Sequence, residues 1–318
     1  MRAAQVVEPG RPPVVADREP PVAAEGHVLV DVLAAPITPL DLLCATGTSY
    51  FGMPATPYIP GVQGVGRAGD RVVWFPTSAG MAPGDGSMAE RAAVPEADLV
   101  PLPAGVDPVE VAALGLSAVA AHMALTWRGE LAAGEQVIVL GAGGVVGQAA
   151  VQLARAAGAR RVIAGARSQA AQARAGKAGA DAVVALDTDD VDELARRFTA
   201  AADGPVDLVL DPLYGAPAAA AARALRPHGR LVNLGSSASE TCPIDSSTLR
   251  SRSLRLLGYT NNALTREQRA AAVTVVAEHA VRGALTVAHE VVPLADAGAA
   301  WQRQAGGGAA GRIVLTIR

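Results

Sequence analysis

The sequence is poor in aromatic residues: Phe, Tyr and Trp together make up 3% of its 318 residues. Single-strand nucleic-acid modules stack bases on aromatic platforms, so this composition argues against one. Lysine is scarcer still, with Lys177 alone among many arginines. A Schiff-base mechanism would rest on that one residue, and a solvated surface charge is the simpler reading. The two cysteines, Cys44 and Cys242, lie far apart and form no C-x-x-C pair, which gives no disulfide framework and fits a reducing compartment. A formal net charge of −3 supplies no field to attract nucleic acid or an anionic membrane. Charges or prolines bound each long apolar run, and no basic-then-apolar leader opens the sequence. The expectation is a cytoplasmic protein with neither nucleic acid nor membrane as a partner.

What is abundant is small and aliphatic. Ala, Val and Leu dominate a composition that is 50% apolar and 18% charged, ordinary for a globular protein. The length exceeds that of one compact domain, so two are expected. In the first third, His27 to Val32 places Val28, Val30 and Val32 on one face, the period of a half-buried strand. Gly69-Asp70 reads as a tight turn feeding a strand through Arg71 to Trp74, and Pro and Gly cluster between residues 52 and 86, which predicts loops there. From Asp107 onward the pattern changes. Pro108 to Leu125 predicts a helix, with Glu110 near its start. Short apolar runs at Gln136 to Leu140, Arg161 to Ala164, Ala182 to Leu186, Val206 to Leu210 and Arg230 to Leu234 predict strands. Between them Gln148 to Ala157, Gln169 to Ala178, Asp192 to Thr199 and Ala216 to Leu225 predict helices. This alternation predicts a parallel sheet covered on both faces. Thr265 to Arg282 predicts a further helix, and Arg312 to Ile317 returns to strand alternation.

The most informative segment is Val137 through Gly147, where an apolar strand runs into a glycine cluster and then an alanine-rich helix. Such a layout aims backbone N–H groups and a helix N-terminus at a pyrophosphate. The candidate cofactor residues here are Gly141, Gly143, Gly144, Val145, Val146 and Gly147. Their glycine spacing is G-x-x-G-x-x-G at positions 141, 144 and 147, where the usual dinucleotide fingerprint is G-x-G-x-x-G. NAD sites place a carboxylate at the end of the second strand to hold the adenosine ribose, whereas NADP sites use arginine nearby. From Gln148 to Ala180 there is no Asp or Glu, but there are Arg155, Arg160, Arg161, Arg167, Arg174 and Lys177. Arg167 and Ser168 follow the second strand directly, and the planar arginine fork suits a 2′-phosphate. The predicted cofactor is NADPH.

Five ordered features carry a family resemblance: Ile37-Thr38-Pro39-Leu40-Asp41, the Ile59-Pro60-Gly61-Val62-Gln63-Gly64-Val65-Gly66 turn, Gly69-Asp70-Arg71-Val72, the glycine loop, and Gly311-Arg312-Ile313-Val314. Over nearly its whole length the sequence resembles the medium-chain dehydrogenase/reductase superfamily, in the zinc-free quinone oxidoreductase branch that includes zeta-crystallin. The resemblance implies an α/β protein in which a GroES-like, β-rich catalytic domain is split around a Rossmann-type, doubly wound parallel sheet. The implied segments are 1–115 (catalytic), 116–252 (nucleotide-binding) and 253–318 (catalytic return). It also implies that Gly235 and Ser236 contact the nicotinamide ribose, and that Tyr259, Thr260 and Asn261 lie near the nicotinamide. The substrate cleft would hold Thr38, Asp41, Tyr50 and Phe51. In it Thr38 would bond the cofactor's carboxamide or ribose, and Tyr50 would either donate a proton or hydrogen bond or be an ordinary loop aromatic. Asp41 reads more readily as a loop tether than as a group that does chemistry.

The departures from the family bear on the chemistry. Zinc-dependent members carry Cys where this sequence has Thr38, and Gly-His-Glu where it has Gly61-Val62-Gln63. Neither Thr nor Val is a good zinc ligand, so no metal is expected. Leu43 stands where some quinone reductases have Tyr, and the connection before Gly69 is shortened. Hydride transfer without a Lewis acid needs an acceptor that is already electron-poor, such as a quinone or α,β-unsaturated carbonyl. The alternatives are an enoyl-thioester or secondary-metabolite tailoring reductase and, in another class, a non-catalytic NADPH-binding protein. Family members are commonly homodimers, and the same is expected here.

Overall fold

The computed structural model describes residues 1–317; Arg318, the end of the expected 253–318 segment, lies outside the described residues. Two compact units emerge. The first comprises Met1–Gly115, Arg266–Gly283 and the described residues from Val287 onward, and the second Leu116–Thr265 with Ala284–Thr286.

In the first unit, β1 (Arg2–Gln5) and β2 (Val14–Asp17) form a ribbon. β3 (His27–Pro36) is followed by α1 (Pro39–Thr46), then β4 (Gln63–Ala68), β5 (Arg71–Pro76), β6 (Arg91–Pro95) and β7 (Val100–Pro101). α2 (Pro108–Met123) leads into the second unit. The sheet of the first unit runs β14-β15-β3-β4-β5-β7 with β6 also on β3; β14 (His289–Pro293) and β15 (Arg312–Thr316) come from the chain's end, as do α8 (Arg266–Val281) and α9 (Ala297–Ala305). The expected alternation in β3 is present, with Val30 and Val32 buried and Val28 half-buried. β4 and β5 pair antiparallel through Gly69-Asp70, with Gly69 at φ 59°, so the shortened connection is a tight hairpin.

The second unit contains β8 (Gln136–Leu140), α3 (Val145–Ala156), β9 (Arg161–Ala166), α4 (Gln169–Lys177), β10 (Ala182–Ala185), α5 (Val191–Ala201), β11 (Val206–Asp211), α6 (Gly215–Ala222), β12 (Leu225–Asn233), α7 (Ser246–Arg252) and β13 (Arg255–Gly258). Its strands are all parallel, in the order β10-β9-β8-β11-β12-β13. That is the doubly wound 3-2-1-4-5-6 arrangement, with its switch point between β8 and β11, where ligands of such sheets bind. β8 is buried along its whole length, as a central parallel strand requires. Ala284–Thr286 joins this unit because the Thr286 N–H and carbonyl both bond the Gln152 side chain, at 3.1 and 2.7 Å.

Three sequence expectations need correction. The segment Gly64-Val65-Gly66 is strand β4, not a turn; a Cβ on Gly64 would lie 2.7 Å from Phe75 Cζ, and one on Gly66 2.6 Å from the Asp31 carbonyl. Those glycines serve close cross-strand packing. The helix from Pro108 is broken at Gly115 (φ 34°, ψ −137°), where a Cβ would lie 2.2 Å from Gln63 Oε1. The nucleotide-binding unit continues past the 252/253 boundary to Thr265, because β13 completes its sheet against β12.

Candidate functional site

The glycine turn is built from close approaches. Gly141, at φ 60°, leaves β8 against Leu213 from the end of β11, and a Cβ on Gly147 would lie 2.4 Å from both Ala142 Cα and the Gly141 carbonyl oxygen. A Cβ on Gly143 would meet Ala171 Cβ at 2.3 Å, so the turn also rests on α4. Gly144 differs. It caps α3 with ordinary extended backbone, has no side chain with which to cap, and leaves its Cβ direction open apart from the Gly141 oxygen at 3.4 Å. The first turn of α3, at Val145, Val146 and Gly147, therefore presents backbone N–H groups beside a space that only glycine leaves free. This is a cradle of the right form for a pyrophosphate, and the residues present fit the group.

β9 runs parallel to β8, with Gly165 opposite Leu140, so Arg167 and Ser168 emerge on the same sheet edge as the glycine turn. Ser168 caps α4 by accepting the Ala171 N–H at 3.2 Å. Four of the six cations in the carboxylate-free stretch are engaged elsewhere. Arg155 pairs with Asp181, Arg160 with Asp203, Arg161 donates to the Ala201 carbonyl, and Arg174 donates to the Gly143 carbonyl at 2.9 Å. Arg167 is exposed and has no carboxylate within ion-pair distance among the described residues. The sequence pattern did not single out Arg174 or Gln148, which both hold the Gly143 carbonyl. Their partner is a backbone oxygen on another element, which spacing alone does not reveal.

At the next strand ends, Asp211 is buried and accepts the N–H groups of Leu213 and Tyr214, while Asn233 donates to it from the neighbouring β12. Burial raises its carboxyl above the usual range, and these bonds oppose the shift. Gly235 packs over Pro212, where a Cβ would lie 3.0 Å from the carbonyl oxygen, and the Ser236 hydroxyl donates to Glu240. Beyond β13, buried Tyr259 donates its hydroxyl to Asn261 Oδ1 at 2.6 Å and lies edge-on to Trp127. Asn261 in turn donates to the Leu116 carbonyl, and Thr260 caps the short turn that follows. The structure thus brings the expected residues of the second unit to one sheet edge.

In the first unit Thr38 caps α1 through a capping box with Asp41. Asp41 is 2% exposed. Its Oδ2 accepts the Thr38 N–H and hydroxyl, and its Oδ1 accepts the N–H groups of Gly61 and Val62, at 2.6 to 3.0 Å. All four bonds point into the chain, which is the geometry of a tether. Burial raises its carboxyl, with the four hydrogen bonds opposing the shift. Val62 is buried, and Gln63 Oε1 accepts the Trp74 indole N–H at 3.0 Å, so the Gly61-Val62-Gln63 segment is occupied in packing. Tyr50 is 79% exposed and its ring lies 4.4 Å from that of Phe51. Phe51 in turn lines a cavity of about 480 Å³ with Met53, Tyr58 and Met81. Among the described residues no three His, Cys, Asp or Glu side chains group as a metal site.

Comparison with known proteins bears on this arrangement. A family model described as "Zinc-binding dehydrogenase" matches residues 145–278, a stretch that does not include Thr38, Val62 or Gln63. The quinone oxidoreductase of Rattus norvegicus is 32% identical over 250 residues, covering 74% of this chain and 73% of that protein. The human synaptic vesicle membrane protein VAT-1 homolog is 30% identical over 228 residues, 68% of this chain and 55% of its own. Among solved structures, the quinone oxidoreductase from Thermus thermophilus, reported also in complex with NADPH, matches the full length of both chains with a TM-score of 0.83 and 32% identity. With the strand order and the glycine cradle described above, these likenesses show that the chain belongs to the quinone oxidoreductase branch of the medium-chain dehydrogenase/reductase superfamily and is an oxidoreductase that uses a nicotinamide cofactor.

Proposed function

We propose that this chain is a zinc-independent, NADPH-dependent reductase that delivers hydride to a quinone or an α,β-unsaturated carbonyl. The observation that carries the NADPH reading is Arg167. It stands at the end of β9, level with the glycine turn, in a stretch without carboxylates, and among the described residues it is the arginine of that stretch whose side chain forms no bond to another part of the chain. An unpaired guanidinium there supplies the bidentate partner that a 2′-phosphate needs, with Ser168 beside it. The complex of the Thermus thermophilus relative with NADPH supports the same reading.

When bound, the nicotinamide supplies a hydride at C4. The chain's own residues have the other tasks. The first turn of α3 holds the pyrophosphate, Gly235, Ser236 and Tyr259-Thr260-Asn261 hold the nicotinamide half, and Asp41 keeps the Thr38 and Gly61 segments in register. Thr38 and Val62 offer no zinc ligand, so the acceptor must be electron-poor on its own account. Tyr50, whose hydroxyl is on an exposed side chain, is the proposed proton or hydrogen-bond donor to the reduced oxygen. The reading includes a cytoplasmic homodimer acting on a small molecule, with neither nucleic acid nor membrane as a partner.

Steady-state assays of NADPH and NADH against a quinone, an enone and an enoyl-CoA test this. The expected result is turnover of the quinone or enone with a preference for NADPH, in protein without stoichiometric zinc. Turnover confined to enoyl-CoA would move the assignment to a thioester reductase. Tight NADPH binding without turnover would make the chain a binding protein, and stoichiometric zinc would overturn the mechanism.

A further inference from the structure

We infer that Arg174 is a positioning residue for the dinucleotide: by holding the Gly143 carbonyl it fixes the backbone that receives the pyrophosphate, and so serves NADPH and NADH alike. The inference rests on the reading of the glycine turn as a dinucleotide cradle, and not on the preference for NADPH.

The peptide group between Gly143 and Gly144 is held at both ends. Its N–H donates to the Gly141 carbonyl at 2.9 Å. Its oxygen accepts Gln148 Nε2 at 3.0 Å and Arg174 Nε at 2.9 Å. A glycine pair at this point would otherwise have wide conformational freedom, which binding a ligand would have to remove. With three donors and acceptors fixing one peptide plane, the N–H groups of Val145 and Val146 that follow are oriented before any ligand arrives. One of the donors is a guanidinium, and a charge-assisted bond is stronger than a neutral one.

The placement of Arg174 follows from its helix. Ala171 and Arg174 are three residues apart on α4 and share a face. Gly143 approaches that face so closely that a Cβ would lie 2.3 Å from Ala171 Cβ. The small residue lets the turn come near, and the long one a turn later reaches its carbonyl. Arg167 lacks such a tie and is exposed. The two arginines therefore divide the work: one is free to meet a phosphate, and the other is fixed to the loop.

The test is a set of dissociation constants for NADPH and NADH, by fluorescence titration, on the parent chain and on Arg174→Met, Arg174→Lys, Gln148→Met, the double variant Arg174→Met/Gln148→Met and Arg167→Gln. Arg174→Met is expected to weaken both nucleotides by the same factor, on the order of tenfold, the effect of one lost hydrogen bond. Arg174→Lys should recover part of that loss for both nucleotides. The double variant Arg174→Met/Gln148→Met should depart from the product of the single effects, because both donors act on one oxygen. Loss of NADPH affinity alone in Arg174→Met would make Arg174 a 2′-phosphate contact and overturn the inference. A lowered melting temperature of the ligand-free protein with unchanged affinity for both nucleotides would overturn it as well. If Arg167→Gln leaves the ratio of the two affinities unchanged, the NADPH proposal fails while equal weakening by Arg174→Met still holds. If the parent chain binds neither nucleotide, the dinucleotide reading itself fails.

Discussion

Arg312 and Asp41 grip the two ends of one buried peptide group. Arg312 Nη1 donates to the Ile37 carbonyl at 2.8 Å, and Asp41 Oδ2 accepts the adjoining Thr38 N–H at 2.8 Å. Asp41 then reaches the Gly61 and Val62 N–H groups with its other oxygen. Three of the ordered motifs, around Thr38, Gly61 and Arg312, thus meet at one cluster. Burial pulls the Arg312 guanidinium down to about 10, and the charge of Asp41 opposes that shift.

Asp41→Ala is expected to destabilise the protein by about 3–5 kcal/mol, since it strands three buried N–H groups and a buried cation's countercharge. Asp41→Asn should cost less, about 1–3 kcal/mol: its carbonyl still serves Gly61 and Val62, but its amide faces the Thr38 N–H, donor to donor. Urea midpoints of the two variants check the order. Equal stability of Asp41→Ala and the parent would remove the tether.

The glycines of the turn are expected to separate fold from ligand. Gly144→Ala finds ordinary backbone angles and open space, so the stability of the ligand-free protein should stay within about 0.5 kcal/mol of the parent. Its NADPH affinity should fall, on the order of tenfold or more, because the new methyl group stands where the phosphate would approach. Gly147→Ala should instead destabilise the ligand-free protein, since its Cβ would lie 2.4 Å from Ala142 Cα and the Gly141 oxygen. Melting curves with and without NADPH distinguish the two. A large stability loss in Gly144→Ala would contradict this division.

The elements that were legible from sequence are those with strong local signals. β8 runs from Gln136 to Leu140 as expected because an apolar run ends at a glycine, and α4 begins at Gln169 because Ser168 caps it. Where a residue's reason is a distant neighbour, the local signal misled. Gly64 and Gly66 read as a turn, but their missing side chains make room for Phe75 and for the Asp31 backbone. Gly115 is hidden in an alanine- and leucine-rich run, and its break depends on Gln63. β13 is short and largely exposed at the sheet edge, so neither periodicity nor a continuous apolar run marked the end of the nucleotide-binding unit. Arg174 is one of six cations in its stretch, and what sets it apart is a carbonyl on another element, which local spacing does not mark.

His279, on α8, gives a pH dependence with a definite sign. Its Nδ1 is buried without a hydrogen-bond partner among the described residues, and burial followed by the charge of Arg282 pushes its pKa below the usual 6.5, against a weaker pull from Glu278. A lowered folded value means that the unfolded chain takes up the proton first. The neutral ring's contribution is therefore complete above pH 6.5 and is lost as pH falls through 6.5 toward the folded value. His279→Gln should lose less stability than the parent between about pH 7.5 and 5.5, as read from urea midpoints. Equal losses would remove His279 as the cause.

Tyr50 offers the most direct test of the proposed proton donor. Its ring is exposed and rests on Phe51, so removal of the hydroxyl in Tyr50→Phe should leave stability within about 0.5 kcal/mol. If the hydroxyl serves the reduced oxygen, kcat with an enone should fall by about 10²-fold, the lower range for a positioned general acid. Quinone reduction should fall less, because a quinone's reduced oxygen is a stabilised phenolate that water can protonate. NADPH affinity should not change, which separates this effect from any change at the glycine turn. An unaltered kcat with both acceptors would leave hydride delivery assigned to the cofactor cradle alone and return Tyr50 to an ordinary surface aromatic.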